Sequence, residues 1–379
     1  MSSANPSPLN LQPLGPEQED LLCGRKAEVR AILENREAGR FTVLLSPPGF
    51  GASSVLRAGV QPPLLRAGNI VAIASDWEGR TVAARLRETV AEAVHHQTGE
   101  PFAPRSREPL IELLERAVAT AGKPLAILLD QFEDYLRCHA GTDVSDAFDA
   151  ELSHAISSRA AHFVIAMHPS AVGEFERLAP FIPNLLGYTV TLAPLTPEGA
   201  AELVRRRGVE PAAVNEIISA RVAAVEGGVN PTLITIAAQR RDSGSADRAI
   251  LTSLDPVLSD LRASDRRLLL QWLPVLVTPE GHRIAVSLKG LTERCSARGA
   301  AVESALAALI RAGVLRHITT PFGIRYLLAR DATSPILRDW GERTQRIHAA
   351  RSQTLSRAIS VLVGVIALFA AYLVYYSGK

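Results

Sequence analysis

At 379 residues the chain exceeds one ordinary domain, and with 47 % apolar residues it can bury two or three cores. A formal net charge of only +2 argues against a protein that coats nucleic acid through a basic surface. The three cysteines, Cys23, Cys138 and Cys295, are scattered, with no Cys-x-x-Cys pair and no zinc spacing to histidine, so they read as buried thiols in a reducing compartment.

Residues 1–19 are polar and carry four prolines. They have no basic start and no apolar stretch, so they are no signal peptide and are expected to form a disordered tail. Residues 20–196 then alternate short apolar runs with amphipathic stretches. Phe41–Leu45, Ile70–Ala74, Leu125–Leu129, Phe163–Ala166 and Tyr188–Leu192 are of strand length, and patterns such as Val82–His95 and Leu110–Ala121 are helical. Runs apolar on both faces predict a doubly wound, mainly parallel α/β sheet with helices on each side. Over 197–254 the strands are expected to disappear. Glu198–Arg207, Ala212–Val225 and Thr232–Gln239 read as helices of a small helical domain, with Gly227, Gly228 and Pro231 marking a turn. Over 255–332, helical patterns at Ala263–Leu273, Ile284–Gly290 and Ala300–Ala312 precede Val314–Ile318, a Thr319–Gly323 turn and Ile324–Leu328. Helices followed by a two-stranded ribbon predict a winged helix. Residues 333–356 read as an arginine-rich linker helix.

The run 358–378, AISVLVGVIALFAAYLVYYSG, holds no charged residue. A helix of that length spans roughly 31 Å, the thickness of a bilayer's hydrocarbon. Tyr372, Tyr375 and Tyr376 lie near its far end, where amphipathic aromatics prefer the interface. Arg343, Arg346, Arg351 and Arg357 precede it and Lys379 alone follows. Residues 357–379 are therefore expected to be a single-pass, C-terminal transmembrane anchor, with the large N-terminal part in the cytoplasm. In a bacterium this is the inner membrane.

Two loops carry the chemistry. After the first strand comes Ser46-Pro47-Pro48-Gly49-Phe50-Gly51-Ala52-Ser53-Ser54, and then a helical Val55–Gly59. Set against the phosphate loop G-x-x-x-x-G-K-S/T, the chain keeps the strand–loop–helix context and a metal-binding hydroxyl at Ser53, but has Ala52 where the lysine belongs. Gly49 and Gly51 allow a tight wrap, and the amides of Gly51 to Ser54 open a helix whose N-terminus attracts anions. A hydrogen bond to a charged group contributes about 1.5–3 kcal/mol. Loss of the lysine should weaken nucleotide binding roughly ten- to a hundred-fold and hamper catalysis more. The third strand ends Leu128-Leu129-Asp130-Gln131-Phe132-Glu133-Asp134, which puts Asp130 at the carboxyl end of an apolar strand, where a Mg²⁺-directing Walker B aspartate belongs. Glu133 is a candidate catalytic residue. The alternative for Glu133 and Asp134 is a solvated first helical turn.

With these elements in order, the chain resembles the STAND class of AAA+-like P-loop NTPases, in particular the bacterial novel-STAND branch. Leu22-Cys23-Gly24-Arg25-Lys26-Ala27-Glu28 is similar to that family's opening F-x-G-R-x-x-E. Val55-Leu56-Arg57-Ala58-Gly59-Val60-Gln61-Pro62 looks like L-V-R-A-G-L-x-P, and Asp130-Gln131-Phe132-Glu133 like D-Q-F-E. Thr191–Leu195, Gly228–Pro231 and Tyr326–Asp331, with Ile336 and Trp340, complete the set. The resemblance implies nucleotide contacts from Arg25, Gly49, Gly51, Ala52, Ser53, Ser54, Asp130, Pro231 and Arg330, with Mg²⁺ on Ser53 and Asp130. It also implies opening on ATP for ADP exchange, followed by self-association. Family members often carry a further sensor domain, so a separate sensor protein is the expected partner.

Three positions depart from the family together: Ala52 replaces the lysine, Arg330 the winged-helix histidine that reads the phosphates, and His168 the arginine after the fourth strand. The pattern implies a pseudo-ATPase, binding ATP or ADP with Mg²⁺ weakly or not at all, tethered to a membrane and acting as a signalling or scaffold module. The alternatives are a weak nucleotide-binding switch or slow ATPase, and a membrane-anchored winged-helix transcription regulator. Against the last, Ala300–Ala312, the natural recognition helix, carries only Glu303 and Arg311 as charges, so no nucleic acid is expected. His95-His96 reads as a surface pair, and Arg205-Arg206-Arg207 as a solvated helix end.

Overall fold

Strands apolar on both faces are stable only in a sheet that is covered on both sides. In the computed structural model, which describes residues 12–38, 41–77, 82–139, 143–240, 245–278, 283–295, 299–320, 323–330 and 333–347, four such runs and a short, largely exposed edge strand pair in parallel. They are β1 (Thr42–Leu45), β2 (Ile70–Ala74), β3 (Leu125–Leu129), β4 (His162–Met167) and β5 (Thr189–Thr191), in the order β2-β3-β4-β1-β5. The register sets Val43 beside Ile165 and Thr189, and Leu129 beside Ile165. The side-chain period of two then sorts the strands' residues into two cores. Val43, Ile127, Leu129, Phe163 and Ile165 face α4 (Val82–Thr98), α5 (Leu110–Ala121), α6 (Phe132–Cys138) and α7 (Asp143–Ser158). Leu44, Ala126, Leu128, Val164 and Ala166 face α1 (Lys26–Glu37) and the helix that follows β1. After β1 the chain leaves for the far edge of the sheet. It later returns to flank β1 on both sides, which opens a crevice at the strands' carboxyl ends.

The helix after β1 is not uniform. It runs as α2 over Ala52–Ser54, widens to a π-helix over Val55–Val60 and continues as α3 over Gln61–Arg66. Pro62 and Pro63 lack the N–H that an α-helix would need at those positions, and their rings crowd the preceding turn. The widened turn just before them absorbs that conflict. Helix α1 packs against this segment at Gly59, where an added Cβ would lie 2.6 Å from a Val29 methyl.

The rest of the chain comprises α8 (Val172–Phe175), α9 (Pro197–Arg206), α10 (Pro211–Ile218), α11 (Pro231–Gln239), α12 (Ala246–Leu251), α13 (Asp255–Asp260), α14 (Ala263–Leu276), α15 (Leu288–Thr292) and α16 (Ala300–Arg311). The short antiparallel pair β6 (Ala224–Val225) and β7 (Gly228–Val229) lies among them. A three-stranded antiparallel sheet, β8 (Val286–Ser287), β10 (Gly323–Leu328) and β9 (Leu315–Thr320), packs with α14 to α16. A final helix covers 334–347. One continuous core joins both helical segments, from Leu195 and Val204 through Ile234 and Trp272 to Leu309 and Trp340.

Four sequence expectations change. The tail through residue 19 is ordered from residue 12, because a 3-10 helix at Pro16–Leu21 docks Glu19 on Arg66 at 2.7 Å. The helix expected at Ala212–Val225 ends at Ile218, and its last residues form β6. The strands therefore do not disappear after residue 197. Ile284–Gly290 splits into β8 and α15, because Ser287 caps a new helix by accepting from the Gly290 amide. The apolar run 358–378 and the end of the linker helix lie outside the described residues. Among the described residues, no helix is long and apolar enough to cross a membrane.

The helical segment is bound to the sheet domain at Gly228–Val229, where Val229 exchanges two backbone hydrogen bonds of 3.0 Å with Leu195. A Cβ on Gly228 would lie 2.3 Å from the Leu195 carbonyl oxygen. Gly228→Ala should therefore break this seam, cost about 1–3 kcal/mol and lower the urea midpoint. Gly227→Ala, with nothing within 4 Å of the added Cβ but a φ of +84°, should show only the smaller cost of backbone strain.

Candidate nucleotide site

A phosphate loop works by offering amides, so its carbonyls must be held elsewhere. Here three successive carbonyls are tied down by three separate side chains. Asn230 Nδ2 donates to Pro48 at 3.0 Å, Thr232 Oγ1 to Gly49 at 2.7 Å and Arg25 Nη2 to Phe50 at 3.1 Å. The Thr232 amide adds a fourth bond, to the Gly49 carbonyl at 3.3 Å. Asn230 also caps α11, accepting from the amides of Thr232 and Leu233, so the start of that helix grips the loop. Gly49 (φ +77°) and Gly51 (φ +92°) take the left-handed turns that the wrap requires. The helix then opens at Ala52, and its first N–H groups have no acceptor within the helix.

Ser53 Oγ donates to Asp130 Oδ1 at 3.1 Å, so the loop hydroxyl and the carboxylate at the end of β3 meet as a pair. Burial pushes the Asp130 carboxyl above its ordinary pKa, against the pull of the Ser53 hydrogen bond and the nearby Arg57 charge. The Asp130 main chain is fixed between the Ala74 carbonyl at 2.8 Å and the Trp77 indole N–H at 2.7 Å. Mg²⁺ prefers one or two protein oxygens and completes its octahedron with phosphate and water, so this hydroxyl–carboxylate pair suits it. The residue immediately before Ser53 is Ala52, which offers the loop no cation.

Glu133 and Asp134 do not form a solvated helical turn. They are 7 % and 4 % exposed. Arg283, which precedes β8, lies 3.8 Å from Glu133 and 3.5 Å from Asp134. Arg316 on β9 hydrogen-bonds Asp134. The His168 amide donates to Glu133 at 3.2 Å. Burial and the Asp134 charge raise the Glu133 pKa from 4.5 to about 7. Burial would also raise Asp134, but Arg316 and Arg283 outweigh it and hold that carboxyl below its ordinary value. Beside this contact Cys138 of α6 packs on Ile318 and Leu327 of the β9–β10 hairpin. The candidate catalytic residue is thus clamped by the C-terminal segment.

Arg25, Gly49, Gly51, Ala52, Ser53, Ser54, Asp130, Glu133, His168, Pro231 and Arg330 all border one cleft of about 1200 Å³ between the sheet domain and both later segments. Arg25 is buried and bonded to Phe50, Ala193 and Glu28, so it positions the loop. Among the lining residues that sequence reasoning missed are Arg57, Arg207, Thr232, Arg283 and Arg316. Arg57 was legible as i+4 to Ser53 on one helix face. Arg207 closes the arginine run that reads as solvated, but it is half-buried in the cleft, its Nε has no hydrogen-bond partner among the described residues, and burial lowers its pKa. Arg330 is shifted down by burial and by the charges of Arg283 and Arg316. Nothing local in the sequence marks Arg283 or Arg316.

A model of the family Novel STAND NTPase 1 matches residues 9–227, more than half of the chain. The chain belongs to the novel STAND NTPases. Among solved structures, the Walker-type ATPase of Pyrococcus abyssi is similar over 87 % of this chain and 99 % of its own, at 16 % identity and a TM-score of 0.50, and it shares the fold. The ORC2 protein of Aeropyrum pernix, in ADPNP–ADP complexes, is similar over 83 % of this chain and 92 % of its own, at 14 % identity and a TM-score of 0.46. No curated protein matches. Within this STAND NTPase the loop and the Ser53–Asp130 pair meet at the crevice at the carboxyl ends of the strands.

An acid whose pKa rises on folding binds its proton more tightly in the folded state, so stability falls as pH rises between the two values. For Glu133 that window is 4.5 to about 7. Glu133→Gln should abolish this component. The urea midpoint of the natural protein should decline across the window relative to the variant and run parallel above it. A constant difference at every pH would show that Glu133 does not carry a raised pKa.

Proposed function

We propose that this STAND NTPase is a membrane-tethered signalling module that binds adenine nucleotide with Mg²⁺ but hydrolyses it poorly or not at all. The observation that carries this reading is the exchange of cations in the cleft. Position 52 offers none, while Arg57, Arg207, Arg316 and Arg330 line the same cavity. Arginine suits phosphate oxygens through its planar fork, so a triphosphate could be held without the lysine. Ser53 and Asp130 would hold Mg²⁺, which would draw charge from the phosphates when bound. Poor turnover follows from two features. No lysine sits on the loop to stabilise growing charge, and Glu133 is engaged by Arg283 and the His168 amide.

The same contacts supply a conformational element. The pairing of Arg283 and Arg316 with Glu133 and Asp134 holds the C-terminal segment, read as a winged helix, against the sheet domain. Its release would expose the cleft and the surfaces for self-association. The tether is the run 358–378, whose length and flanking arginines support a single span with the cleft on the cytoplasmic side.

Titration of a fluorescent ATP analogue with Mg²⁺ into the full chain tests the nucleotide reading. Binding is expected, weakened about tenfold by Arg330→Ala and tightened about ten- to a hundred-fold by Ala52→Lys. If only the Ala52→Lys protein binds, the site is a relic and the proposal fails. Replacing both Arg283 and Arg316 by serine should raise protease sensitivity and the fraction of oligomer in light scattering. An unchanged oligomeric state would remove the latch from the account.

A further inference from the structure

A second concavity, of about 950 Å³, lies between α13, α14 and the final helix over 334–347. Its apolar lining includes Leu258, Leu270, Val275, Trp340 and Ile347, and the last of these is 53 % exposed. Its charged lining is four arginines, Arg266, Arg267, Arg294 and Arg343, against the single carboxylate of Asp255. Arg343 is already committed, at 2.6 Å to Asp339 and 3.3 Å to Asp255. Arg266 donates to the carbonyls of Leu258 and Ser259. The Arg267 and Arg294 side chains are exposed and have no hydrogen-bond or ion-pair partner among the described residues. The groove therefore combines apolar walls with two unneutralised guanidinium groups.

We infer that this groove binds an anionic phospholipid, with the headgroup phosphate on Arg267 and Arg294 and the upper acyl chain along Trp340 and Ile347. The inference rests on the membrane reading given under the proposed function. Charge complementarity favours an anionic amphiphile over an apolar peptide, which would leave the arginines unpaired. Position favours the bilayer as its source. The helix that forms one wall ends its described part at Ile347, and only ten residues separate it from the apolar run at 358. Ten residues span about 15 Å as a helix and at most about 35 Å extended, so the tether keeps the groove within reach of the membrane surface. Juxtamembrane arginines are drawn to an anionic leaflet by its negative surface potential. Binding there would orient the cytoplasmic domains relative to the bilayer, where free rotation about the tether would not.

The test uses the full chain in a neutral detergent with dihexanoyl phosphatidylglycerol or dihexanoyl phosphatidylcholine added, read by tryptophan fluorescence. Trp77 and Trp272 are fully buried elsewhere, so the response should come from Trp340 and vanish in Trp340→Phe. Saturable binding of the phosphatidylglycerol is expected, at least about tenfold tighter than the phosphatidylcholine and weakened about tenfold by Arg267→Glu with Arg294→Glu. Equal response to both lipids, or no effect of the charge reversals, would overturn the inference and leave a detergent-like apolar groove. A groove already filled by the chain's own apolar run or by a second copy would show no lipid saturation, which also overturns it. Recovery of the full chain in carbonate-washed membranes tests the tether separately. A protein that stays in membranes but shows no lipid preference refutes the groove alone.

Discussion

The grip on three consecutive carbonyls of the phosphate loop is the constraint on which the rest of the structure depends. A loop of this kind has no core of its own, and left free it would satisfy its polar groups in many ways. Arg25 reaches it from the turn before α1, and Asn230 and Thr232 reach it from the start of α11. Two distant parts of the chain thus fix one loop. The helical segment cannot move without disturbing the loop, and the loop cannot change shape without disturbing the cap of α11. Loop shape and domain arrangement are thus coupled through these side-chain hydrogen bonds to the loop carbonyls.

The cleft shows a second kind of economy. Lysine on the loop is a point charge belonging to one domain. Apart from Arg25, which is committed to the loop, the arginines lining this cleft come from three places: the loop helix, the end of α9 and the C-terminal segment that carries the β-hairpin. In the proposed reading, a bound triphosphate would join all three, and losing the local cation would shift phosphate recognition from the loop to the arrangement of the domains.

Glu133 and Asp134 link this chemistry to the outer segment. Two adjacent carboxylates buried together repel each other, and burial alone would neutralise both. Arg283 and Arg316 resolve the conflict unevenly, so that Asp134 stays charged while Glu133 sits near neutrality. A buried ion pair is weak evidence for stability, because desolvation opposes the attraction. What the structure shows is placement: the acids meet Arg283 and Arg316 of the C-terminal segment beside the small apolar contact of Cys138 with Ile318 and Leu327.

Much of this was legible in the sequence. The five strands, the phosphate loop lacking its lysine, the aspartate at the end of β3 and the order of the helices follow from local signals: apolar runs of strand length, glycines where the chain must turn, and 3.6-residue periodicity. Those signals act over a few residues and survive in any fold that uses them. The β6–β7 pair and the split at Ser287 were lost because two-residue strands have no periodicity to read. The burial of Glu133 and Asp134, the grip of Asn230 and Thr232, and the convergence of Arg207, Arg283, Arg316 and Arg330 on one cleft were decided only by tertiary structure. Each depends on partners far away along the chain, and a side chain's charge by itself does not reveal whether water or an arginine will meet it.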